Sequence, residues 1–291
     1  MDKTKTFKII IYSFLAIALI CFFAYVSVPN FFDTSRTTIS LEQNVNSLYI
    51  PYLEHGNCEI FLLQTGECIM LDCGSSEDFP LVFDKLRQLN ITKIDNLILT
   101  STEQETTGGL YKLLNNIQVK KVTVSSDAEK SERFAYSKKI LETNGTDICY
   151  ITSGSRLYER ENIFIDVVNT EKYISDKEIN AMSLYVCLNK NAVFFEGICD
   201  VKTEAKMASE LKGFAKTDIL VVSPSGLQPY ISKYFMEEVN PQYAIISVHK
   251  DKYPTIGTLN SLKDVEVFRS DINGDISITF KNGNISFKTE Q

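Results

Sequence analysis

Histidine and tryptophan are scarce in this sequence. Among its 291 residues there is no tryptophan, and the only two histidines are His55 and His249. Imidazole is the commonest neutral ligand for zinc and the usual general base near neutral pH. Two histidines therefore exclude a metal centre that is built on several imidazoles. Large core side chains are supplied instead by 18 Phe and 14 Tyr residues.

Positive charge is also in short supply. The chain has 30 Lys and Arg residues against 37 Asp and Glu residues, which gives a formal net charge of −7. Nucleic-acid backbones are bound through clustered Lys and Arg, so this balance disfavours a nucleic-acid partner. Hydrophobic residues make up 44% of the chain and charged residues 23%, proportions that are typical of a globular protein with a packed core.

Charge is absent from residues 9–28, a run of about 20 residues, which is the length that crosses the hydrocarbon core of a membrane as a helix. Lys3, Lys5 and Lys8 precede this run, so the positive-inside rule places the N-terminus in the cytoplasm. A cleaved signal peptide is the alternative, but it would have a shorter apolar region and small residues at the cleavage site. We therefore predict a single-pass protein of the cell membrane, inserted through residues 9–28, whose C-terminal domain is extracellular.

Strand hairpins and strand–helix units follow the apolar run in two halves. This pattern predicts an α/β fold with two mixed β-sheets and helices on their outer faces. Residues 127–144 predict a charged helix, and residues 170–181 predict a polar loop. The predicted organisation is a cytoplasmic tail (1–8), a transmembrane signal anchor (9–28), a tether (29–45) and a globular domain (46–291).

No Cys-x-x-Cys pair occurs among the seven cysteines, so their spacing does not predict a zinc site. Six of them follow residue 28: Cys58, Cys68, Cys73, Cys149, Cys187 and Cys199. Residues 58–63 and 68–73 predict a hairpin that places Cys58 opposite Cys73, so a disulfide between these two is one interpretation. The favoured interpretation is that most of the cysteines are free, buried thiols.

The stretch from Leu97 to Leu110 is the most informative part of the chain. An apolar strand runs into a polar loop, and Gly108-Gly109 opens the next helix. Loops that follow buried strands are where α/β folds place their chemistry. In its layout this stretch resembles the metal-binding loop of the metallo-β-lactamase fold, Leu-Thr-His-x-His-x-Asp-His-x-Gly-Gly-Leu.

Further segments are similar to the extracytoplasmic domain of the competence protein ComEC, a branch of the same superfamily. The similarity covers roughly residues 46–288 and rests on shared glycines and apolar strand positions. The matching segments are residues 53–57, 70–74, 94–101, 194–198, 218–226 and 270–276. This resemblance implies a metallo-β-lactamase-like αββα sandwich of two mixed β-sheets flanked by helices, preceded here by one N-terminal transmembrane helix.

The metal ligands of the family are missing from the matching positions. By the resemblance, the family's ligands fall on Ser101, Glu103, Glu105, Thr106, Ile198, Ser225 and Tyr253. We refer to these seven residues as the vacated ligand positions. Both halves of the sandwich have lost their histidines, whereas the strand framework is intact. The fold is therefore implied by the resemblance, and the family's zinc-dependent hydrolysis is not.

The alternative is a residual polar site at the mouth of the sandwich. Its candidate residues are Asp72, Glu103, Glu105, Asp200 and His55. Carboxylates suit Mg²⁺, Mn²⁺ or Ca²⁺ better than zinc, but two loop carboxylates are a weak metal signal. We therefore expect no cofactor, with a carboxylate-bound Mg²⁺, Mn²⁺ or Ca²⁺ ion as the minor alternative. A Ser–His hydrolase has no motif to support it.

The sequence thus favours a non-catalytic binding or accessory module whose protein or small-molecule partner is unknown. The alternative is a divergent metal-dependent hydrolase of the phosphodiesterase or nuclease kind that uses carboxylate ligands. A third interpretation is a purely structural envelope protein. The family resemblance suggests nucleic acid as a partner, but the acidic net charge speaks against it.

Overall fold

The computed structural model describes residue 39, residues 44–214 and residues 216–290. The predicted tail, the transmembrane anchor and nearly all of the tether lie outside the described residues. Among the described residues, no helix is long and apolar enough to cross a membrane. The chain divides into two units, Met1–Thr38 and Ile39–Gln291, and the second contains every described residue.

Strands and helices alternate along the described unit. Its strands are β1 (Asn46–Ile50), β2 (Glu59–Leu62), β3 (Cys68–Leu71), β4 (Lys93–Ile94), β5 (Asn96–Ile98), β6 (Gln118–Val119), β7 (Lys121–Ser125), β8 (Asp147–Ile151), β9 (Arg156–Arg160), β10 (Ile163–Ile174), β11 (Lys177–Leu188), β12 (Asn191–Phe195), β13 (Ile219–Val221), β14 (Tyr243–Ile246), β15 (Glu266–Arg269), β16 (Ile276–Lys281) and β17 (Asn284–Thr289). Its α-helices are α1 (Phe79–Gln88), α2 (Gln104–Thr107), α3 (Leu110–Asn116), α4 (Ala135–Asn144), α5 (Val201–Leu211), α6 (Lys233–Val239), α7 (Ile256–Ser261) and α8 (Ser270–Asn273). Single turns of 3₁₀ helix lie at Ser126–Lys130 and Pro224–Gly226.

Two large mixed sheets form the centre of the fold. The first has eight strands in the order β17-β16-β1-β2-β3-β5-β7-β8, and the second has seven in the order β15-β14-β13-β12-β11-β10-β9. In each sheet one part is antiparallel and the other parallel, from β3 to β8 and from β12 to β15. The short strands β4 and β6 pair separately. The prediction of two mixed sheets is confirmed.

The apolar residues are arranged in layers. Leu48 and Ile50 of β1 point into a core between the two sheets, whereas Tyr49 points to the helices, because side chains alternate across a strand. Phe61 and Phe195 meet in the central core, with ring centroids 5.7 Å apart. Helices α1, α3 and α4 cover the outer face of the first sheet, and α5 and α6 cover the second. The αββα layering implied by the family resemblance is therefore present.

The helix predicted over residues 127–144 is interrupted. The chain forms a 3₁₀ turn at Ser126–Lys130 and begins α4 only at Ala135. The hydroxyl of Ser125 accepts a hydrogen bond from the amide of Asp127 and so caps the turn. Phe134, which precedes α4, is fully buried. The interruption lies at Ser131, whose extended conformation (φ −75°, ψ 128°) ends the 3₁₀ turn before the chain becomes helical again.

The loop predicted over residues 170–181 is instead the end of a long hairpin. Strands β10 and β11 pair from Ile163–Leu188 out to Ile174–Lys177. The hairpin end is polar in sequence, but Ile174, Ile179 and Ala181 form a small apolar cluster against Ile198. This long-range contact stabilises an extended hairpin that local sequence does not predict.

The six described cysteines are free, so the Cys58–Cys73 disulfide is not formed. The register of the hairpin explains this. Leu62 pairs with Cys68 and Glu59 pairs with Leu71, which is one position away from the register that the bridge requires. Cys58 and Cys73 are both buried as thiols.

Candidate functional site

Polar side chains follow the carboxyl ends of the parallel strands at one edge of the sandwich. Asp72 follows β3 and Glu196 follows β12. Ser223 lies just after β13, and His249 lies just after β14. The carboxyl ends of parallel strands lie together, and open α/β sheets bind their ligands there. This edge is therefore the candidate functional site.

Asp72 is buried beneath this edge and is not exposed to solvent. It adopts a left-handed backbone conformation with φ of 56°, and its carboxylate accepts hydrogen bonds from the amide and hydroxyl of Thr100 at 2.7 and 2.6 Å. Asp72 and Glu59 line a cavity of about 30 Å³. Burial raises the pKa of Asp72 to about 7. Burial, followed by the charge of Asp72, raises the pKa of Glu59 well above its ordinary value.

The loop that carries Ser101, Glu103, Glu105 and Thr106, which we call the vacated loop, is held by hydrogen bonds and ion pairs within the protein. The hydroxyls of Ser101 and Thr106 lie 2.8 Å apart, and both residues are fully buried. Glu103 accepts a hydrogen bond from the guanidinium of Arg133 at 2.5 Å. Glu105 pairs with Lys252 at 3.6 Å. Each of these side chains is thus held by a protein partner.

A groove of about 560 Å³ opens above the loop. Its lining includes five of the predicted site residues: Glu103, Glu105, Ile198, Asp200 and Ser225. The end of the β10–β11 hairpin contributes Ile174, Ser175, Lys177 and Ile179 to the same groove. The structure therefore brings vacated ligand positions from both halves of the sandwich together around one groove.

Ser225 occupies a strained position in this groove. Its φ is 59° and it is fully buried. Its amide donates to the carbonyl of Ser247 at 2.8 Å, and its hydroxyl accepts from the backbone amide of His249 at 3.0 Å. Nε2 of the His249 imidazole contacts Oδ1 of Asn57 at 3.0 Å. Because the Ser225 hydroxyl contacts the backbone and not the imidazole of His249, the pair lacks the contact that a Ser–His nucleophile needs.

Two predicted residues, His55 and Tyr253, do not line the groove, and a third, Asp200, lines it while also capping a helix. His55 is half-exposed and lies 3.7 Å from Glu54 and 3.6 Å from Glu77. Tyr253 is 62% exposed. Asp200 caps α5 by accepting from the amide of Thr203 at 2.9 Å. The predicted residual polar site is therefore divided among the groove, the small cavity at Asp72 and the surface.

Sequence reasoning missed a second cluster, formed by Glu196, Cys199 and Glu204. One ligand atom from each lies within 4.8 Å of the others, and all three residues are buried. Burial, followed by the charge of Glu204, raises the pKa of Glu196 to about 7. Burial also raises the pKa of Glu204. The available signal was three metal-ligating residues, two Glu and one Cys, within nine positions at a strand end and the first turn of a helix.

No protein-family model matches the sequence, and no curated protein matches it either. Solved structures do match the fold. A variant of the CmlA β-hydroxylase, described as a diiron enzyme from Streptomyces venezuelae, superimposes with a TM-score of 0.57 at 11% identity, over 81% of this chain and 54% of its own. The present chain thus spans about half the length of that hydroxylase.

Two other matches cover nearly the whole of the matching protein. Igni18, described as a metallo hydrolase from Ignicoccus hospitalis, has a TM-score of 0.51 at 13% identity, over 81% of this chain and 100% of its own. YhfI from Bacillus subtilis, described as a metallo-β-lactamase fold protein, has a TM-score of 0.51 at 12% identity, over 77% of this chain and 96% of its own. At such identities the likeness establishes the fold. The closer similarity to ComEC stays a prediction.

The expectation that the protein has no cofactor is wrong. Igni18 and the CmlA hydroxylase are described as metal-dependent proteins, and Glu196, Cys199 and Glu204 bring together three groups that can hold a metal ion. The vacated loop, in contrast, does not fit the family's histidine-based zinc centre, because its buried hydroxyls bond each other and its carboxylates are paired with Arg133 and Lys252. The two mixed sheets, the helices outside them and these structural neighbours together show that the chain has the metallo-β-lactamase fold.

Proposed function

We propose that this protein is a binding module whose ligand occupies the groove above the vacated loop. The groove, at about 560 Å³, has the size of a small-molecule site. One observation carries the proposal. The acidic side chains at the vacated ligand positions have protein partners, yet the groove above them is open. Glu103 pairs with Arg133, and Glu105 pairs with Lys252.

Loss of the ligands is matched by new packing. Ile198, where the family's bridging aspartate falls, packs against the apolar cluster of Ile174, Ile179 and Ala181. A carboxylate at this position would have to be desolvated against the same cluster, which is unfavourable unless it is paired. The end of the β10–β11 hairpin and Ile198, which packs against it, therefore form one wall of the groove.

The lining indicates the chemistry of the ligand. Apolar side chains come from Ile174, Ile179, Ile198 and Leu227, and the basic ones are Lys177 and Lys252. The acidic lining residues Glu103, Glu105 and Asp200 are engaged by Arg133, by Lys252 and by the amide of Thr203. Leu227 is 50% exposed, and Lys252 makes only a long, half-exposed ion pair with Glu105 that a ligand can displace. We infer a small organic anion with an apolar body.

Binding is testable with a fragment library of organic acids, screened by ligand-observed NMR against the full chain. We expect hits whose affinity falls at least about tenfold in Lys252→Ala and Leu227→Ala, since each removes a wall of the groove. Tyr136→Ala, which alters an exposed ring outside the groove, serves as the control. If the hits bind both groove variants with the same affinity as they bind the unmodified chain, the proposal is wrong.

A metal-dependent hydrolase is the second candidate. It is supported by the printed description of Igni18 and by the Glu196, Cys199 and Glu204 cluster next to the groove. Turnover of bis(4-nitrophenyl) phosphate with Zn²⁺, Mn²⁺ or Mg²⁺ decides between the two functions. The binding module predicts no metal-dependent turnover, whereas turnover that is lost in Glu204→Gln would establish the hydrolase.

We further propose that the module is anchored to the cell membrane by residues 9–28, with the globular domain on the outer side. The uncharged run and the preceding Lys3, Lys5 and Lys8 support this orientation. An alkaline phosphatase fused after residue 291 should be active, because that enzyme needs an oxidising compartment. An inactive fusion that accumulates as full-length protein contradicts the orientation. Nucleic acid is disfavoured as a partner by the net charge of −7.

A further inference from the structure

Glu196, Cys199 and Glu204 form a buried cluster that we call the acid–thiol cluster. Glu196 follows β12, Cys199 lies in the next turn, and Glu204 is in the first turn of α5. Their exposed fractions are 0%, 8% and 0%. The cluster contains none of the seven vacated ligand positions, so it is distinct from the site that the family resemblance implies.

Each carboxylate of the cluster has one satisfied and one unsatisfied oxygen. Oε2 of Glu196 accepts from the amide of Ser223 at 2.6 Å, and Oε2 of Glu204 accepts from the amide of Ser232 at 2.6 Å. Oε1 of both glutamates is buried without a hydrogen-bond partner among the described residues. Native proteins rarely leave such oxygens unsatisfied, because burying them without a partner is costly.

A third unsatisfied oxygen lies beside them. The side-chain amide of Gln228 donates to Oε2 of Glu196 at 3.3 Å, and Oε1 of Gln228 is buried without a partner in the described part of the chain. The amide group of Gln228 is thus adjacent to the cluster. It can supply a fourth ligand atom by turning its oxygen inward.

The charge of the cluster is uncompensated. The Ser223 amide, the Gln228 amide and the Cys199 thiol hydrogen-bond to Glu196, and the Ser232 amide hydrogen-bonds to Glu204. Among the described residues, no basic side chain forms an ion pair with either carboxyl. Buried charges in proteins are paired or coordinate metal ions. A cation is therefore the partner that this arrangement lacks.

The donor set selects the kind of cation. A thiolate disfavours Mg²⁺ and Ca²⁺, which prefer oxygen ligands only, whereas Zn²⁺ accepts Cys sulfur and Glu oxygen together. Structural zinc sites use four protein ligands. We propose that Glu196, Cys199, Glu204 and Gln228 bind one structural Zn²⁺ ion. The ion joins the end of β12 to α5, and Glu204 extends the connection to Ser232 at the start of α6.

The test is the zinc content of the full chain. The protein is purified without chelator, loaded with Zn²⁺, separated from excess metal by gel filtration and analysed by inductively coupled plasma mass spectrometry. We expect about one zinc per chain in the unmodified protein. Cys199→Ser and Glu204→Gln should each weaken zinc binding by more than the about 10–100-fold that is typical when a residue beside a metal ligand is changed. Circular dichroism establishes that the variants are folded.

Two control variants separate the cluster from other metal-binding groups. Glu210→Gln alters an exposed glutamate on the same helix, and Cys187→Ser alters a half-buried thiol outside the cluster. Both should keep the zinc. Equal zinc in Cys199→Ser and Glu204→Gln overturns the proposal, as does zinc below about a tenth per chain in the unmodified protein, which would mean that the two carboxyls share protons instead.

Cobalt substitution gives a readout that does not depend on any variant folding. Co²⁺ bound by a thiolate has a charge-transfer band in the near ultraviolet, which the loaded, unmodified chain should show and which excess Zn²⁺ should remove. Absence of this band overturns the proposal. The outcome is independent of the proposed binding function, because no ligand of the groove takes part in either measurement.

Discussion

The imidazole of His249 lies 3.0 Å, through Nε2, from the side-chain oxygen of Asn57, which precedes it by 192 residues. Asn57 precedes β2 in the first sheet, and His249 follows β14 in the second. This buried hydrogen bond therefore joins the two halves of the sandwich at the groove. With Oδ1 as the acceptor, Nε2 carries the proton.

His249 should remain neutral at physiological pH. Burial, followed by the charge of Lys252, lowers its pKa below the ordinary value of 6.5. A lowered pKa means that the stabilising contribution is present above about pH 6.5 and is lost as pH falls through the pKa of the folded state. Denaturant unfolding between about pH 5 and pH 7 should show this loss, and His249→Gln should reduce it. His55→Gln is the control. If His249→Gln loses as much stability on acidification as the unmodified chain, His249 is not the group responsible.

The Glu59 and Asp72 pair should have the opposite pH dependence. Both carboxyls have raised pKa values, so the folded state binds more protons than the unfolded state between about pH 4 and pH 7. Stability should therefore fall as pH rises through this range. In the presence of chelator, Glu59→Gln should be more stable than the unmodified chain at pH 8 by on the order of 1 kcal/mol. A variant that is less stable at pH 8, yet folded, would argue against repulsion within the pair.

Asp275 should be essential for stability. It is 4% exposed, contacts the hydroxyl of Tyr49 and the ammonium of Lys85, and accepts from the amide of Tyr52 at 2.9 Å. Asp275→Ala leaves the buried ammonium without its closest partner, so we expect a loss of about 3 kcal/mol in urea unfolding. Lys233→Ala, which removes an exposed pair with Glu237, should change stability by less than about 0.5 kcal/mol.

Gly109 should not tolerate a side chain. A Cβ atom at this position would lie 2.3 Å from the carbonyl oxygen of Cys73, which is backbone and has little freedom to move. We expect Gly109→Ala to lower the midpoint of thermal unfolding and to reduce stability by about 1–3 kcal/mol. Gly213→Ala is the matched control, because a Cβ atom there meets nothing within 4 Å. Equal midpoints for the two variants would show that the loop adjusts more readily than this contact implies.

The framework of the site was predictable, because local patterns encode it. Leu97 to Leu99 are fully buried as predicted, and Gly108-Gly109 lies at the close approach to Ser76 and Cys73 that excludes a side chain. The hairpin end at residues 170–181 was missed because its apolar contacts reach Ile198, which is remote in sequence. The break before α4 was missed because the charge pattern of residues 127–144 does not reveal the extended conformation of Ser131.

The acid–thiol cluster was missed for a different reason. The segment around Glu196 resembles the end of a family hairpin, and by that resemblance the family's aspartate falls on Ile198 and not on Glu196. Nothing in the local sequence shows that Glu196 meets Glu204. The angle between a strand end and the following helix decides this meeting, and core packing sets that angle.

The sequence by itself determined what the site lacks. With only His55 and His249, the chain has too few imidazoles for the family's metal centre, whatever its fold. The tertiary structure alone decided which acidic side chains meet: Asp72 lies with Glu59, and Glu196 lies with Cys199 and Glu204. The physical reason is that composition limits which ligands are available, whereas the distances among them depend on strand register and helix packing across distant parts of the chain.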